Sequence, residues 1–302
     1  MNENVSSAYQ TDDPDRFKEL TKRPKIAWPT LFVLVAAFTC YGISIAGYLQ
    51  GLLPLAWAMA ISTVAAYLSF TTAHDATHSA IGTNRQLNDW VGRVSTVLQS
   101  PVPFFRTFRF IHMQHHRFTN DEKKDPDSYV SHGPRWLLPI RWATLDLNYL
   151  AYYFQPAVFS TRPKSERKEL YLALLFGIVV FIVVTLAGWL EYYLLLFFIP
   201  TRINTLILSV VFDYLPHYPH HKQGTENAFK GTSNRVGLEW LLTPLLLSQN
   251  YHLVHHLYPK VPFYRYLKVW KARIQYHESQ NPAITDPFAL RPKNQTQDMT
   301  NL

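Results

Sequence analysis

One cysteine in 302 residues, Cys40, leaves the chain no disulfide to form within itself and excludes a disulfide-stapled scaffold. Glycine is scarce, at 11, and none of it forms a GxGxxG turn or another phosphate cradle, so nothing in the sequence supports a bound nicotinamide or flavin. The 20 prolines follow no period, which removes collagen and flexible-linker readings. The HExxH pattern of zinc proteases, in which a glutamate beside the first histidine serves as general base, is absent. Charged residues reach only 17%, against roughly 25% in an average soluble protein. With 48% apolar and 15% aromatic residues, a disordered chain is excluded too.

Charge is missing from whole stretches as well. No charged residue occurs from Ile26 to Ala73, and only Glu191, Arg202 and Asp213 interrupt the run from Leu170 to Leu215. Ile26–Leu49 is 24 residues long, about 36 Å as a helix, and crosses a hydrocarbon layer of about 30 Å with some tilt. Leu52–Ala73, Leu170–Leu190 and Tyr192–Leu215 do the same, and the short connections make two helical hairpins. The mean hydropathy of −0.09 is therefore an average over two unlike layers. A net charge of +8 is compatible with nucleic-acid binding, but its placement argues for a membrane. Apart from Arg202, basic residues fall in residues 1–25, between His74 and Glu169 and after Pro216, never in a hairpin turn. The positive-inside rule then puts both termini and the middle segment in the cytoplasm of a plasma or inner membrane.

The expected fold is an all-α integral membrane protein: four transmembrane helices in two hairpins, under a cytoplasmic helical cap. The expected layout is a tail over 1–25, hairpins over 26–73 and 170–215, cap segments over 74–169 and 216–280, and a tail over 281–302. Residues 90–111, 136–159 and 236–247 mix aromatic with basic or polar residues, as helices lying on a headgroup layer do. The first tail reads as solvated, with room for one short helix.

Against these absences stand 13 histidines, about twice the usual share, and their placement matters more than their number. His74 and His78 form HDATH directly after the second apolar run. His112, His115 and His116 form HMQHH, and His252, His255 and His256 form HLVHH. On a helix, spacings of three and four put side chains on one face, within reach of a common point. Imidazole binds iron, zinc and copper well. Eight histidines exceed one tetrahedral ion, so two metals with about four ligands each is the economical count. His217, in FDYLPH at the end of the fourth run, is a candidate ninth ligand. Asp213 stands four residues before it, as a partner of a ligand, a water-mediated ligand or a plain helix-end polar group. Asp125 and Asp127 follow the second box and are placed to orient an imidazole, or to sit in a solvated loop. Asp75 within the first box and Asn250 before the third are further polar candidates. His220 and His221 read as lying in a polar turn beyond the cluster, and His132 and His277 as ordinary surface histidines. Arg202 and Asn204 interrupt the fourth run without a role the sequence can choose.

With HDATH, HMQHH and HLVHH in this order around two hairpins, the chain resembles the membrane fatty-acid desaturase and hydroxylase superfamily. The segments NDEKKDPDSYVSHGPRW, FDYLPHYP and QNYHLVHHLYPKVPFY are most similar to its β-carotene hydroxylase branch. The HHKQ run after Pro219 and both tails depart from that pattern. The resemblance implies two non-haem irons on the box histidines, with His217 matching the family's extra histidine. It further implies O2 as co-substrate, electrons from a ferredoxin-like protein, and attack on a C–H bond of a lipophilic substrate drawn from the bilayer. A fatty-acid desaturase, acyl-lipid or acyl-CoA, is the alternative within this chemistry. A haem-bearing membrane electron carrier is a distant one, since it calls for a histidine on each haem face rather than clustered HxxHH. Lys123, Lys124, Arg265, Lys268, Lys271 and Arg273 offer a basic face to an acidic electron carrier or to anionic headgroups, and no nucleic-acid partner is expected.

Overall fold

The computed structural model describes residues 11–293. Four helices in it are long and apolar enough to cross a membrane: α2 (Trp28–Leu49), α3 (Leu55–Thr77), α8 (Lys164–Leu186) and α9 (Leu190–His217). Around them lie α1 (Pro14–Thr21), α4 (Arg85–Thr96), α5 (Phe105–Phe118), α6 (Leu138–Ala143) and α7 (Leu145–Tyr153). After α9 come α10 (Glu239–Leu245), α11 (His252–Leu257), α12 (Tyr266–Ala272) and α13 (Ile274–Ser279). Two three-residue strands, β1 (Ser233–Arg235) and β2 (Ala283–Thr285), pair in parallel, Ser233 opposite Ala283.

Both hairpins turn on a glycine in the left-handed region, Gly51 at φ 71° and Gly188 at φ 72°, where a side chain would be strained. Between α2 and α3 the contact is built from small residues. Ala37, Ala58 and Ala65 are fully buried, and Ser44 donates to the Ala58 carbonyl at 2.7 Å and meets Ser62 at 2.8 Å. Small and hydroxyl-bearing residues let spanning helices approach closely where lipid tails supply no hydrophobic drive.

Three spanning helices run past the expected bounds, each for a local reason. Nothing in HDAT breaks a helix, so α3 continues to Thr77 and carries His74 on its last turns. Helix α8 begins six residues early because its charged first turns are paired: Glu169 with Arg93 at 2.8 Å and Arg106 at 3.2 Å, and Glu166 with Arg162 at 2.9 Å. Helix α9 continues through Pro200 and Arg202 to His217, with π-helical turns at Leu194–Phe198 and Ser209–Tyr214. Its arginine is neutralised rather than disruptive. The Arg202 guanidinium reaches both carboxylate oxygens of Asp146 at 2.7 Å, and Asn204 donates to Gln99 at 3.2 Å. A charge at such depth persists only when paired.

The tails differ from expectation. Residues 12–22 are not a solvated tail but part of the cap. Asp13 donates its N–H to the Ala272 carbonyl at 2.8 Å, Phe17 packs edge-on to Tyr258, and Leu20 is buried. At the other end, β2 holds the chain against β1, and Arg235 donates to the carbonyls of Asp286, Pro287 and Ala289. The remaining tail residues, 1–10 and 294–302, lie outside the described residues.

Candidate metal centre

Every box histidine is delivered by a helix end. Helix α3 brings His74 in its last turn, with His78 immediately after it; α5 brings His112, His115 and His116; α11 brings His252, His255 and His256; the last turn of α9 brings His217. The two spanning helices therefore end on the same side of the protein, where α5 and α11 meet them. His74, His78, His112 and His255 form one group, and His115, His217, His252 and His256 a second, with ligand-capable atoms within 4.8 Å of one another in each. His116 lies between the groups with His255 and His256. His217 thus sits inside a four-histidine set, while His116, from the second box, is the histidine that bridges. These are groups able to hold two metal ions.

The donor set fits metal on its own chemistry. His252 gives its Nδ1 hydrogen to Gln249 at 3.0 Å, which turns the Nε2 lone pair toward its neighbours. His217 Nε2 and His256 Nε2 then approach it at 3.2 and 3.1 Å. In the first group His112 Nε2 stands 2.9 Å from His78 Nε2. Nitrogens bound to one ion at about 2.0–2.1 Å lie about 3.3 Å apart in a tetrahedron, close to the 2.9–3.2 Å of these pairs. Burial and neighbouring imidazoles push His78, His112, His252, His255 and His256 well below the ordinary histidine pKa, so their lone pairs stay available at neutral pH.

His115 is set apart. Burial pushes its pKa down, but the carboxylates of Asp125 and Asp127 opposite push it up to about 10. Its Nδ1 lies 3.0 Å from Asp125 and 3.2 Å from Asp127, which fixes the hydrogen there and leaves Nε2 toward the cluster. Asp125 is held in turn by the Asn120 and Asp127 backbone N–H groups, and Asp127 by the Tyr149 hydroxyl at 2.7 Å. His255 gives its Nδ1 hydrogen to the Tyr266 hydroxyl at 3.0 Å.

The other polar candidates go elsewhere. Asp75 accepts from Thr30 at 2.9 Å and from the Phe263 N–H at 3.3 Å, tying α2 to the segment before α12. Asn250 donates to Thr243 and the Arg235 carbonyl, and bonds no box histidine. Asp213 borders two cavities beside His115. His220 packs against Tyr214 and Tyr218 and belongs to neither group, and His221 is exposed. His132 is half-buried and bonds the Ser128 carbonyl. His277, expected at the surface, is fully buried: it stacks on Trp270 at 4.7 Å and bonds the Tyr258 hydroxyl. Of the basic face, Arg265 is spent on the carbonyls of Leu20 and Lys22, and Arg273 lies over Phe17 and Tyr276, while Lys123, Lys124, Lys268 and Lys271 are exposed. Gln249, Tyr266 and Tyr149 escaped sequence reasoning. Only Gln249, three residues before His252, carried a spacing that pointed to it.

Between α3, α5, α7 and α9 lies a cavity of about 90 Å³ lined largely by apolar side chains, among them Phe70, Phe108 and Phe212. His74 and His112 of the first group and His115 and His252 of the second form its wall. Residues 50–286 match the family described as fatty acid desaturase.

The chain belongs to the fatty acid desaturase family. Its four helices of membrane-crossing length fit that family, whose members are typically iron-dependent. It is 29% identical over 230 residues to a dihydrorhizobitoxine desaturase of Bradyrhizobium elkanii, covering 68% of this chain and 63% of that protein. It is 27% identical over 263 residues to a chloroplastic omega-6 fatty acid desaturase of Spinacia oleracea, covering 79% and 57%. To a β-carotene ketolase of Paracoccus it is 26% identical over 197 residues, covering 65% and 71%. The aligned region spans about three fifths of the length of the two desaturases.

Proposed function

We propose that the protein is an O2-dependent di-iron oxygenase that hydroxylates a lipophilic substrate, a carotenoid ring in the first instance. The observation that carries this reading is the shared wall: each four-histidine group contributes two imidazoles to one apolar cavity between spanning helices. His74, His78, His112 and His255 would hold one iron, and His115, His217, His252 and His256 the other, with His116 between. The chemistry that bound iron supplies is reduction of O2 coupled to cleavage of an unactivated C–H bond. Hydroxylation puts one oxygen atom into the C–H bond and the other into water, consuming two electrons and two protons.

The chain's own part is to bind, orient and exclude water. Phe70, Phe108 and Phe212 pack against an apolar substrate and keep the cavity dry. Asp125, Gln249 and Tyr266 hold the tautomers of His115, His252 and His255. Burial and the Asp127 carboxylate push the Tyr149 phenol well above its ordinary pKa, so it remains a hydrogen-bond donor at the cavity wall. Electrons come from a ferredoxin-like carrier docking on exposed Lys123, Lys124, Lys268 and Lys271. The distribution of basic residues supports a topology with the histidines and both termini in the cytoplasm of a plasma or inner membrane.

The carotenoid ring is put before an acyl chain because the segments NDEKKDPDSYVSHGPRW, FDYLPHYP and QNYHLVHHLYPKVPFY resemble the carotenoid branch, and the similarity to a β-carotene ketolase is compatible with that order. Desaturation is the second reading, favoured by the similarity to those two proteins. Both outcomes begin with loss of one hydrogen, and the substrate's position in the cavity decides which follows. Expression in a host that makes β-carotene separates them. Hydroxylated carotenoid is the expected product; new unsaturated acyl chains without it would overturn the carotenoid assignment.

A further inference from the structure

Against other residues of α9 than those of the first cavity lies a second chamber, of about 260 Å³. The two share no lining residue: Phe212 and Asp213 face the first, Val211 and Leu215 the second. Leu242 and Leu246 form one wall of the second chamber, and the turn Pro287–Leu290 after β2 closes it. That closing segment is pinned by Arg235, which donates to the carbonyls of Pro287 and Ala289 and of Asp286 just before them at 2.7–3.1 Å, and by the pairing of β2 with β1.

The chamber opens beside exposed apolar side chains. Phe288 of its lining is 85% exposed, and on the neighbouring helix α10 Trp240 is 76% and Leu245 60% exposed. Of these, Leu245 lies against a spanning helix. The Leu245 carbonyl accepts from the hydroxyl of Tyr67, ten residues before the end of α3 and so about 15 Å along that helix from its end. Helix α10 therefore sits beside spanning segments, with a tryptophan at its edge, as interfacial aromatics do. An apolar surface continuous with the bilayer is occupied by lipid. Charge offers no competing partner, since Arg235 is used internally and the Lys293 amine pairs with Asp286 at 2.7 Å.

The inner end of the chamber is polar. Asn250 is 2% exposed, lines the chamber, and its side-chain oxygen has no hydrogen-bond partner while its nitrogen is committed to Thr243 and Arg235. A buried acceptor left unpaired costs on the order of 1–3 kcal/mol, which a ligand donor recovers. We propose that this chamber binds a single-chain lipid whose hydroxyl or amide N–H donates to Asn250 and whose hydrocarbon chain leaves past Leu246 and Phe288 into the bilayer. Because Gln249, at the same inner wall, holds His252, an occupant there touches the support of the second histidine group without entering the catalytic cavity.

Photolabelling of the full chain in phosphatidylcholine nanodiscs tests this, and the readout needs no turnover, so it stands apart from the hydroxylase assignment. The probes are a long-chain fatty alcohol bearing a diazirine on its chain and the methyl ester of the same chain, which lacks the donor. Peptide mapping is expected to place alcohol label on residues 211–215, 242–246 and 287–290, several-fold above the ester. Leu246→Trp and Ala289→Trp, which fill the chamber from opposite walls, are each expected to lower that label several-fold while label on Phe181 of α8 is unchanged. Two fills keep the test readable if one variant fails to fold. Label confined to the α8 belt, label unaffected by both fills, or equal labelling by alcohol and ester would overturn the proposal.

Discussion

The four spanning helices divide into two pairs that look alike in composition and differ in work. Helices α3 and α9, which carry His74 and His217, are buried over 44% and 33% of their most apolar stretch; α2 and α8, which carry no histidine, over 17% each. The buried pair holds its position with small and polar residues such as Ser62, Ser69, Thr72, Thr201 and Asn204. The outer pair turns Phe32, Ile178 and Val183 toward lipid. Lipid-facing positions require only apolarity, whereas a helix that must place an imidazole needs fixed partners on several sides. The pair that brings His74 and His217 to the metal centre is therefore the pair with its polar side chains buried inside the protein.

Substitutions sharpen this contrast in order of expected effect. His115→Ala or His255→Ala removes one nitrogen from a four-nitrogen set and is expected to abolish product formation and lower bound iron, read by metal analysis; full activity in both would defeat the assignment. Acidification comes next. The box imidazoles outside the spanning helices, except His115, are held below the unfolded value of about 6.5. Their contribution is therefore complete above that pH and is lost as pH falls further. His115 runs the other way, its contribution present below about 6.5 and lost as pH rises through about 10. The metal-free protein should accordingly melt at lower temperature at pH 5 than at pH 7. Asp125→Asn is expected to weaken metal binding by roughly 10–100-fold with the fold intact, measured by competition with a chelator.

Arg202→Met leaves Asp146 without its partner beside the catalytic cavity, and a lower melting temperature is expected. Asp146→Leu in the same chain should restore most of the loss, because replacing both members of such a pair with apolar groups is often neutral. Ile182→Val on α8, with Ile182 49% exposed, should move stability by no more than about 0.5 kcal/mol. A large loss there would break the distinction between the two pairs.

How much of this was legible in the sequence follows from range. The spans came from uncharged runs, and the eight box histidines from spacings of three and four, both local signals. The early start of α8 did not, since Lys164–Glu169 reads as solvent-exposed until Arg93 and Arg106, far away in sequence, are brought to Glu169. The division of the histidines into two groups was hidden as well. Each group draws on three or more segments, so His217 and His116 could be ranked only after those segments met. Tyr266 supports His255 from eleven residues away across a turn, and Tyr149 reaches Asp127 from another helix. His277 misled for the same reason, because the Phe17–Tyr258–Trp270 nest that buries it assembles α1 with the C-terminal cap.

Metal analysis of the purified full chain, with His115→Ala and His255→Ala in parallel, tests the central claim most directly. The account predicts two irons per chain and no haem absorption, with each variant losing iron. One zinc per chain, a Soret band, or full iron content in both variants would contradict it.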